Sequence, residues 1–215
     1  MTPPVPSFPL NPNKADWSVW DFPDVVDHWN FPGYEGKKMT VSVYSNCEQV
    51  ELFLNGESLG KQENTADKKN TLVWEVPYAH GILKAVSYNK GGEVGTATLE
   101  SAGKVEKIRL SADRTEIVAD GNDLSYITLE LVDSKGIRNQ LAEELVEFSI
   151  AGDATIEGVG NANPMSIESF VANSRKTWRG SNLLVVRSGK SSGRIIVTAK
   201  VKALPVASIT ITQKK

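Results

Sequence analysis

Apolar side chains recur at every second position in short runs along most of this chain. That period admits one kind of regular backbone. Met39, Val41 and Val43 alternate with Thr40, Ser42 and Tyr44, and Val50, Leu52 and Leu54 alternate with Gln49, Glu51 and Phe53. Residues two apart share a face on an extended strand, whereas a helix brings together residues three and four apart. Asn55-Gly56 follows directly. Both residues accept positive φ, as a type I′ hairpin turn requires, and Leu59 then starts the return strand. The polar stretch 61–70 reads as a loop. Leu72, Trp74 and Val76 resume the alternation until Pro77 ends it, which makes Trp74 a core residue. Residues 81–88 and 93–99 form a last hairpin across Lys90-Gly91-Gly92. Nothing between 25 and 104 keeps helical apolar spacing for three turns.

Residues 105–215 repeat the style. Ile127, Leu129 and Leu131 alternate with Thr128 and Glu130, and Val146, Phe148 and Ile150 alternate with Glu147 and Ser149. Asp133-Ser134-Lys135-Gly136 is a turn, and 183–187, 194–201 and 206–212 are further β-rich runs. Short strands divided by turn residues, without helices, predict antiparallel β-sandwiches. The spacing places one at 25–104 and another at 105–215, joined near Gly103-Lys104. Each is large enough to bury about 65% of its chain surface. The stretch 158–182 breaks the alternation. It is rich in Gly and Asn, holds Trp178, and is predicted to be a long loop. Residues 1–24 hold six of the ten prolines, at 3, 4, 6, 9, 12 and 23. Proline fixes φ and removes a donor, so this stretch reads as an extended arm. Trp17, Val19, Trp20 and Phe22 give it apolar groups to bury.

The residues offer little for catalysis. With 24 Lys+Arg against 26 Asp+Glu the net charge is -2, which argues against a nucleic-acid partner. No apolar run reaches membrane-spanning length, and no basic-then-apolar leader opens the sequence, so neither a membrane span nor a signal peptide is expected. Cys47 is the single cysteine, which leaves no internal disulfide and no cysteine zinc cluster. His28 and His80 lack the partners of a nucleophile triad, and no Gly-x-Ser-x-Gly elbow is present. Gly158-Val159-Gly160 is a lone G-x-G without the rest of a phosphate-binding fingerprint. Asp120-Gly121-Asn122-Asp123 lacks the order of a calcium loop and reads as a strand-connecting turn. No catalytic residue, metal site or cofactor is therefore expected. Sugar stacking on an aromatic face is the remaining binding chemistry. Trp178, flanked by Lys176 and Arg179, is the first candidate, with Trp29 and Tyr34 behind it. All three have packing as the competing role.

Longer runs carry a resemblance. His28-Trp29-Asn30-Phe31-Pro32-Gly33 resembles a His-Trp-Asn-Trp-x-Gly segment of family 2 glycoside hydrolases of β-galactosidase type, with Phe31 in place of the second Trp. Residues 43–56, VYSNCEQVELFLNG, are similar to a stretch of the same family, as are Trp74-Glu75-Val76-Pro77-Tyr78 and Gly81-x-Leu83-Lys84-Ala85-Val86. Ile117-x-Ala119-Asp120-Gly121-x-Asp123, Asp133-x-x-Gly136 and Gly158-Val159-Gly160-Asn161-x-Asn163-Pro164 resemble the invasin-like module that often follows. The departures are Ala162 and Asn163.

The resemblance implies two consecutive sandwiches, immunoglobulin-like and then invasin-like. It implies a C-terminal accessory region whose catalytic glutamates lie on an upstream (β/α)8 barrel, a fold of roughly 250 residues that this chain is too short to hold. That barrel would be the partner within the same polypeptide, the arm at 1–24 would lead from it, and Met1 would not be the native start. An oligosaccharide is the alternative partner, and a free-standing adhesin-like stalk the alternative role. The resemblance also implies a periplasmic or secreted protein.

Overall fold

The structure is a computed structural model that describes residues 25–215. The proline-rich arm at 1–24, with Trp17, Val19, Trp20 and Phe22, lies outside them. The chain divides into two units between Ser101 and Ala102.

The first unit is built from two sheets. Strands β1 (Lys38–Tyr44) and β4 (Thr71–Pro77) pair antiparallel. Strands β2 (Gln49–Leu54), β3 (Glu57–Glu63), β5 (Ile82–Asn89) and β6 (Gly92–Glu100) form an antiparallel sheet in the order β3-β2-β5-β6. The alternating residues face inward as their period demands. Met39, Val41, Leu72, Trp74 and Val76 come from one sheet and Val50, Leu52, Leu83 and Ala85 from the other, and all sit in one buried cluster. The β2–β3 turn has φ 52° at Asn55 and 89° at Gly56, the left-handed pair that Asn-Gly supplies at low cost. The polar stretch after it departs from the sequence expectation. β3 continues to Glu63, and a short 3-10 turn covers Ala66–Lys68. Pairing with β2, Gln49 opposite Glu63 and Glu51 opposite Lys61, overrides the loop-like composition.

The segment before β1 is an aromatic plug. Trp29 is wholly buried and meets Phe31 and Tyr78 edge-on, with ring centroids at 6.0 and 5.1 Å. Its Nε1 donates to the Ala79 carbonyl at 2.8 Å, and Phe31 N donates to the Tyr78 hydroxyl at 3.1 Å. Ser101 Oγ donates to the Trp29 carbonyl, tying the end of the unit to its beginning.

The second unit has nine strands. Those not yet described are β7 (Lys107–Ala112), β8 (Glu116–Val118), β9 (Leu124–Val132), β10 (Leu145–Ala151), β11 (Ala154–Gly160), β12 (Ser174–Lys176), β13 (Ser181–Ser188), β14 (Gly193–Val201) and β15 (Ala207–Lys214). They form a sheet β12-β10-β14-β15-β8 and a sheet β11-β13-β9-β7. Ile127, Leu129, Phe148, Leu184, Val197 and Ile211 lie at the centre of their shared core. All pairings are antiparallel except β8 with β15, which run parallel over Glu116–Val118. At the start of the unit, buried Asp133 accepts Gly103 N and Ile137 N, each at 2.8 Å, and Asn139 Nδ2 donates to the Gly103 carbonyl at 2.9 Å. These bonds seat the segment after the break on the turn at Asp133–Gly136.

Candidate functional site

The stretch 158–182 is more ordered than its composition suggests. It holds the end of β11, a connection at 161–173, the short strand β12, and a hairpin turn into β13. Trp178 and Ser181 exchange both backbone hydrogen bonds at 3.1 Å. Between them φ is 50° at Arg179 and 69° at Gly180, a two-residue type I′ turn. Gly180 is required there twice over, since a Cβ would lie 2.2 Å from the Asn139 carbonyl oxygen and the left-handed φ would strain any other residue.

Beneath this end of the sandwich lies a buried charge. Register places Arg175 of β12 opposite Val146 of β10, which points its side chain into the unit, and the arginine is wholly buried. Nη1 donates to the carbonyls of Val159 at 3.1 Å and Glu168 at 3.2 Å, and Nη2 donates to Ser166 Oγ at 3.1 Å. The guanidinium carbon stands 4.2 Å from the Phe170 ring centroid. The Glu168 carboxylate lies 4.0 Å from Nε and accepts Lys176 N at 3.0 Å. That N–H holds the Glu168 carboxyl below its ordinary value against partial desolvation, helped by Ser166 and Arg175. Asn161 Nδ2 donates to the Lys176 carbonyl at 2.9 Å and Asn182 Nδ2 to the Arg175 carbonyl at 3.1 Å. The connection 161–173 is therefore organised by an arginine at its base.

Sequence reasoning missed Arg175 because a charged residue among Ser174, Lys176 and Thr177 reads as solvated surface. The usable signal was phase: Arg175 shares its face with Thr177, which is also buried.

The three aromatic residues proposed for sugar contact are divided between the two units. Trp29 is a correction. Its indole is enclosed by Phe31 and Tyr78 within the first unit, so neither ring face is available for stacking. Tyr34 is half-buried against the same core, with Lys37 Nζ 4.5 Å above its ring. Trp178 belongs to the second unit. It is half-buried, and the Arg179 guanidinium lies 4.6 Å from its ring. His28 Nδ1 accepts Asn30 N at 3.2 Å.

Asp120 and Asp123 spend their oxygens on donors of the protein itself. Asp120 accepts Asn122 N at 2.7 Å and Asp123 N at 2.9 Å, while Asp123 accepts Val118 N and pairs with Arg114, both at 2.8 Å. Among the described residues no cluster of His, Cys, Asp or Glu has the arrangement to hold a metal ion, and no helix is long and apolar enough to cross a membrane.

The second unit concentrates depressed carboxyls. Glu168 is held down chiefly by Lys176 N–H, Asp153 by Ser191 N–H, Asp123 by Val118 N–H and Asp120 by Asn122 N–H. In Asp133 desolvation pushes upward and is outweighed by the N–H donors of Gly103, Ile137, Lys135 and Gly136. Carboxyls depressed in the folded state contribute stability above their unfolded value of about 4, and lose it as pH falls through the lower folded values. The melting temperature of the second unit is expected to fall more steeply below about pH 4 than that of the first. Calorimetry with peptide-resolved hydrogen exchange checks this, and parallel losses in both units would contradict it.

The comparisons with known proteins address the same two units. Residues 108–210 match the glycoside hydrolase family 2 C-terminal domain 5, and residues 36–95 match a domain of unknown function, DUF4982. The chain is also similar to a crystal structure of a glycosyl hydrolase family 2 member from Bacteroides cellulosilyticus, with 98% identity and a TM-score of 0.97 over 100% of this chain and 28% of that one. The chain is a C-terminal accessory region of glycoside hydrolase family 2. This family 2 region is 32% identical to the β-galactosidase BoGH2A of Bacteroides ovatus over 94% of its length, covering 24% of that protein. It is 30% identical to a β-glucuronidase of Formosa agariphila, over 92% of this chain and 20% of that one. The family 2 region thus spans about a quarter or less of the curated relatives it matches.

Proposed function

We propose that this region is a non-catalytic brace of a β-galactosidase-like glycoside hydrolase, holding or orienting a catalytic (β/α)8 barrel that lies upstream in the same polypeptide. The carrying observation is the coverage. Nearly all of this chain aligns with only about a quarter of a β-galactosidase, so most of such an enzyme lies outside it. The depressed carboxyls of the second unit are occupied by backbone N–H groups of the same unit, as structural carboxylates are. The resemblance to family 2 glycoside hydrolases supports a periplasmic or extracellular location.

The 215-residue chain is expected to give no turnover of nitrophenyl β-galactoside or nitrophenyl β-glucuronide above a mock purification. Activity that follows this protein through repeated chromatography would overturn the proposal.

A second reading, carbohydrate binding, is favoured by one observation, the half-exposed indole of Trp178 beside Arg179. Calorimetric titration with galactose, lactose and galactose-containing oligosaccharides separates the two. Saturable heat that is lost in Trp178→Ala supports the sugar-targeting role. No heat at millimolar ligand leaves the brace.

A further inference from the structure

The connection 161–173 combines a charged scaffold below with an apolar crest above. Met165, Ile167, Phe170 and Val171 are 76%, 101%, 62% and 80% exposed, although they lie within seven residues of one another. Scattered exposed apolar residues are ordinary on a protein surface, whereas a contiguous group marks an interaction site. This group stands on an ordered base. Asn163 Oδ1 accepts Met165 N at 2.9 Å, Arg175 holds Ser166 and the Glu168 carbonyl, and the Phe170 carbonyl accepts Val159 N at 2.8 Å. Burying a guanidinium beneath a surface connection is costly unless the geometry is well satisfied. Here Nη1 and Nη2 are spent on tying that connection to the Val159 carbonyl of β11, while Nε faces the Glu168 carboxylate at 4.0 Å without a hydrogen bond.

We propose that the crest Met165–Ile167–Phe170–Val171 is a docking surface for an apolar protein surface in the part of the polypeptide upstream of residue 1. This rests on the reading of the chain as a brace and names the surface through which it acts. The chemistry selects a protein partner. Of the three polar side chains within the crest, Ser166 and Glu168 turn inward to Arg175 and Lys176 N and Ser169 Oγ accepts Val171 N at 3.3 Å, which leaves little for sugar hydroxyls. Residues 163–172 contain one charged side chain, Glu168, and no cation for a phosphate or an anionic headgroup. Aliphatic and thioether groups fit an apolar protein face, and Met165 adapts to its contours. Such a face is available by length, because the chain covers only 28% of the Bacteroides cellulosilyticus polypeptide that it overlays. Covalent linkage supplies the high effective concentration that makes a small contact sufficient.

The test is peroxide oxidation of Met165, read by peptide mass spectrometry, in the 215-residue chain and in the full-length polypeptide. Buried Met39 is the internal slow control. Met165 is expected to oxidise at the rate of a free methionine in the 215-residue chain and at least about ten-fold more slowly in the full-length polypeptide. Ile167→Asp, and separately Val171→Ser, should restore fast oxidation in the full-length polypeptide while leaving the melting temperature of the 215-residue chain unchanged.

Equal Met165 rates in the two proteins would overturn the proposal. So would protection in the 215-residue chain: if it grows with protein concentration a second copy covers the crest, if it appears with added galacto-oligosaccharide a saccharide does, and if it is constant residues 1–24 do. Removing residues 25–215 from the full-length polypeptide tests the brace separately. Unchanged activity and melting would defeat the brace itself. Loss of activity with an open Met165 would defeat only the crest.

Discussion

Trp29→Ala is expected to destabilise the first unit by about 3–5 kcal/mol, the range for removing a large aromatic from a packed core. The side chain is wholly buried, both of its aromatic neighbours meet it edge-on, and its Nε1 proton satisfies the Ala79 carbonyl. Alanine leaves a cavity the size of an indole and strips that carbonyl of its donor. For a unit of this size the melting temperature should drop by about 15–30 °C. Many domains have only about 5–15 kcal/mol in hand, so the first unit of the variant would be partly unfolded under growth conditions. Trp29→Phe keeps an edge-on ring and should lose less than half as much. Calorimetry with hydrogen exchange of peptides from 28–44 and 71–88 measures it. A loss below about 1 kcal/mol would mean that the plug is peripheral to the fold.

Arg175→Ala acts on the second unit by a different route. Three hydrogen bonds from a charged donor disappear, and the carbonyls of Val159 and Glu168 lose a partner in a place with little water. The Glu168 carboxylate is a third exposed, so much of its ion-pair contribution is screened and the hydrogen bonds dominate. The expected cost is about 3 kcal/mol, or a fall of about 10 °C in the melting transition of that unit. Amide protection in 161–173 should collapse before the rest of the sandwich opens. Arg175→Lys keeps the charge but cannot fork to both carbonyls, and should fall between the alanine variant and the parent. If the loop amides exchange no faster in Arg175→Ala, the arginine is not what organises the connection.

The alternation at 39–43, 50–54 and 72–76 made the sheets of the first unit legible, because a period of two has few other physical meanings. It also marked Trp74 correctly as core, in phase with Leu72 and Val76. Asn55-Gly56 was legible because its chemistry is local. What could not be read depended on partners distant in sequence. The Gln62 side chain donates to the Val73 carbonyl, and β3 persists through a polar stretch because β2 lies beside it. β8 is three residues long and finds a parallel neighbour almost a hundred positions later. Trp29 could be read as a platform or a plug from its type alone, and only its neighbours decide. Arg175 was hidden for the same reason. Its inward direction comes from pairing with β10, and the oxygens it binds belong to β11 and to the connection that follows it.

The placement of β15 bears on how the second unit responds to force. It lies between β14 and β8 instead of at an edge, hydrogen-bonded antiparallel on one side and parallel on the other. A pull on Lys215 directed along that strand loads both ladders in shear, so their bonds resist together and do not unzip in turn. Forced unfolding is governed by the height of that barrier and not by equilibrium stability. Traction transmitted through Lys215 therefore meets two ladders at once.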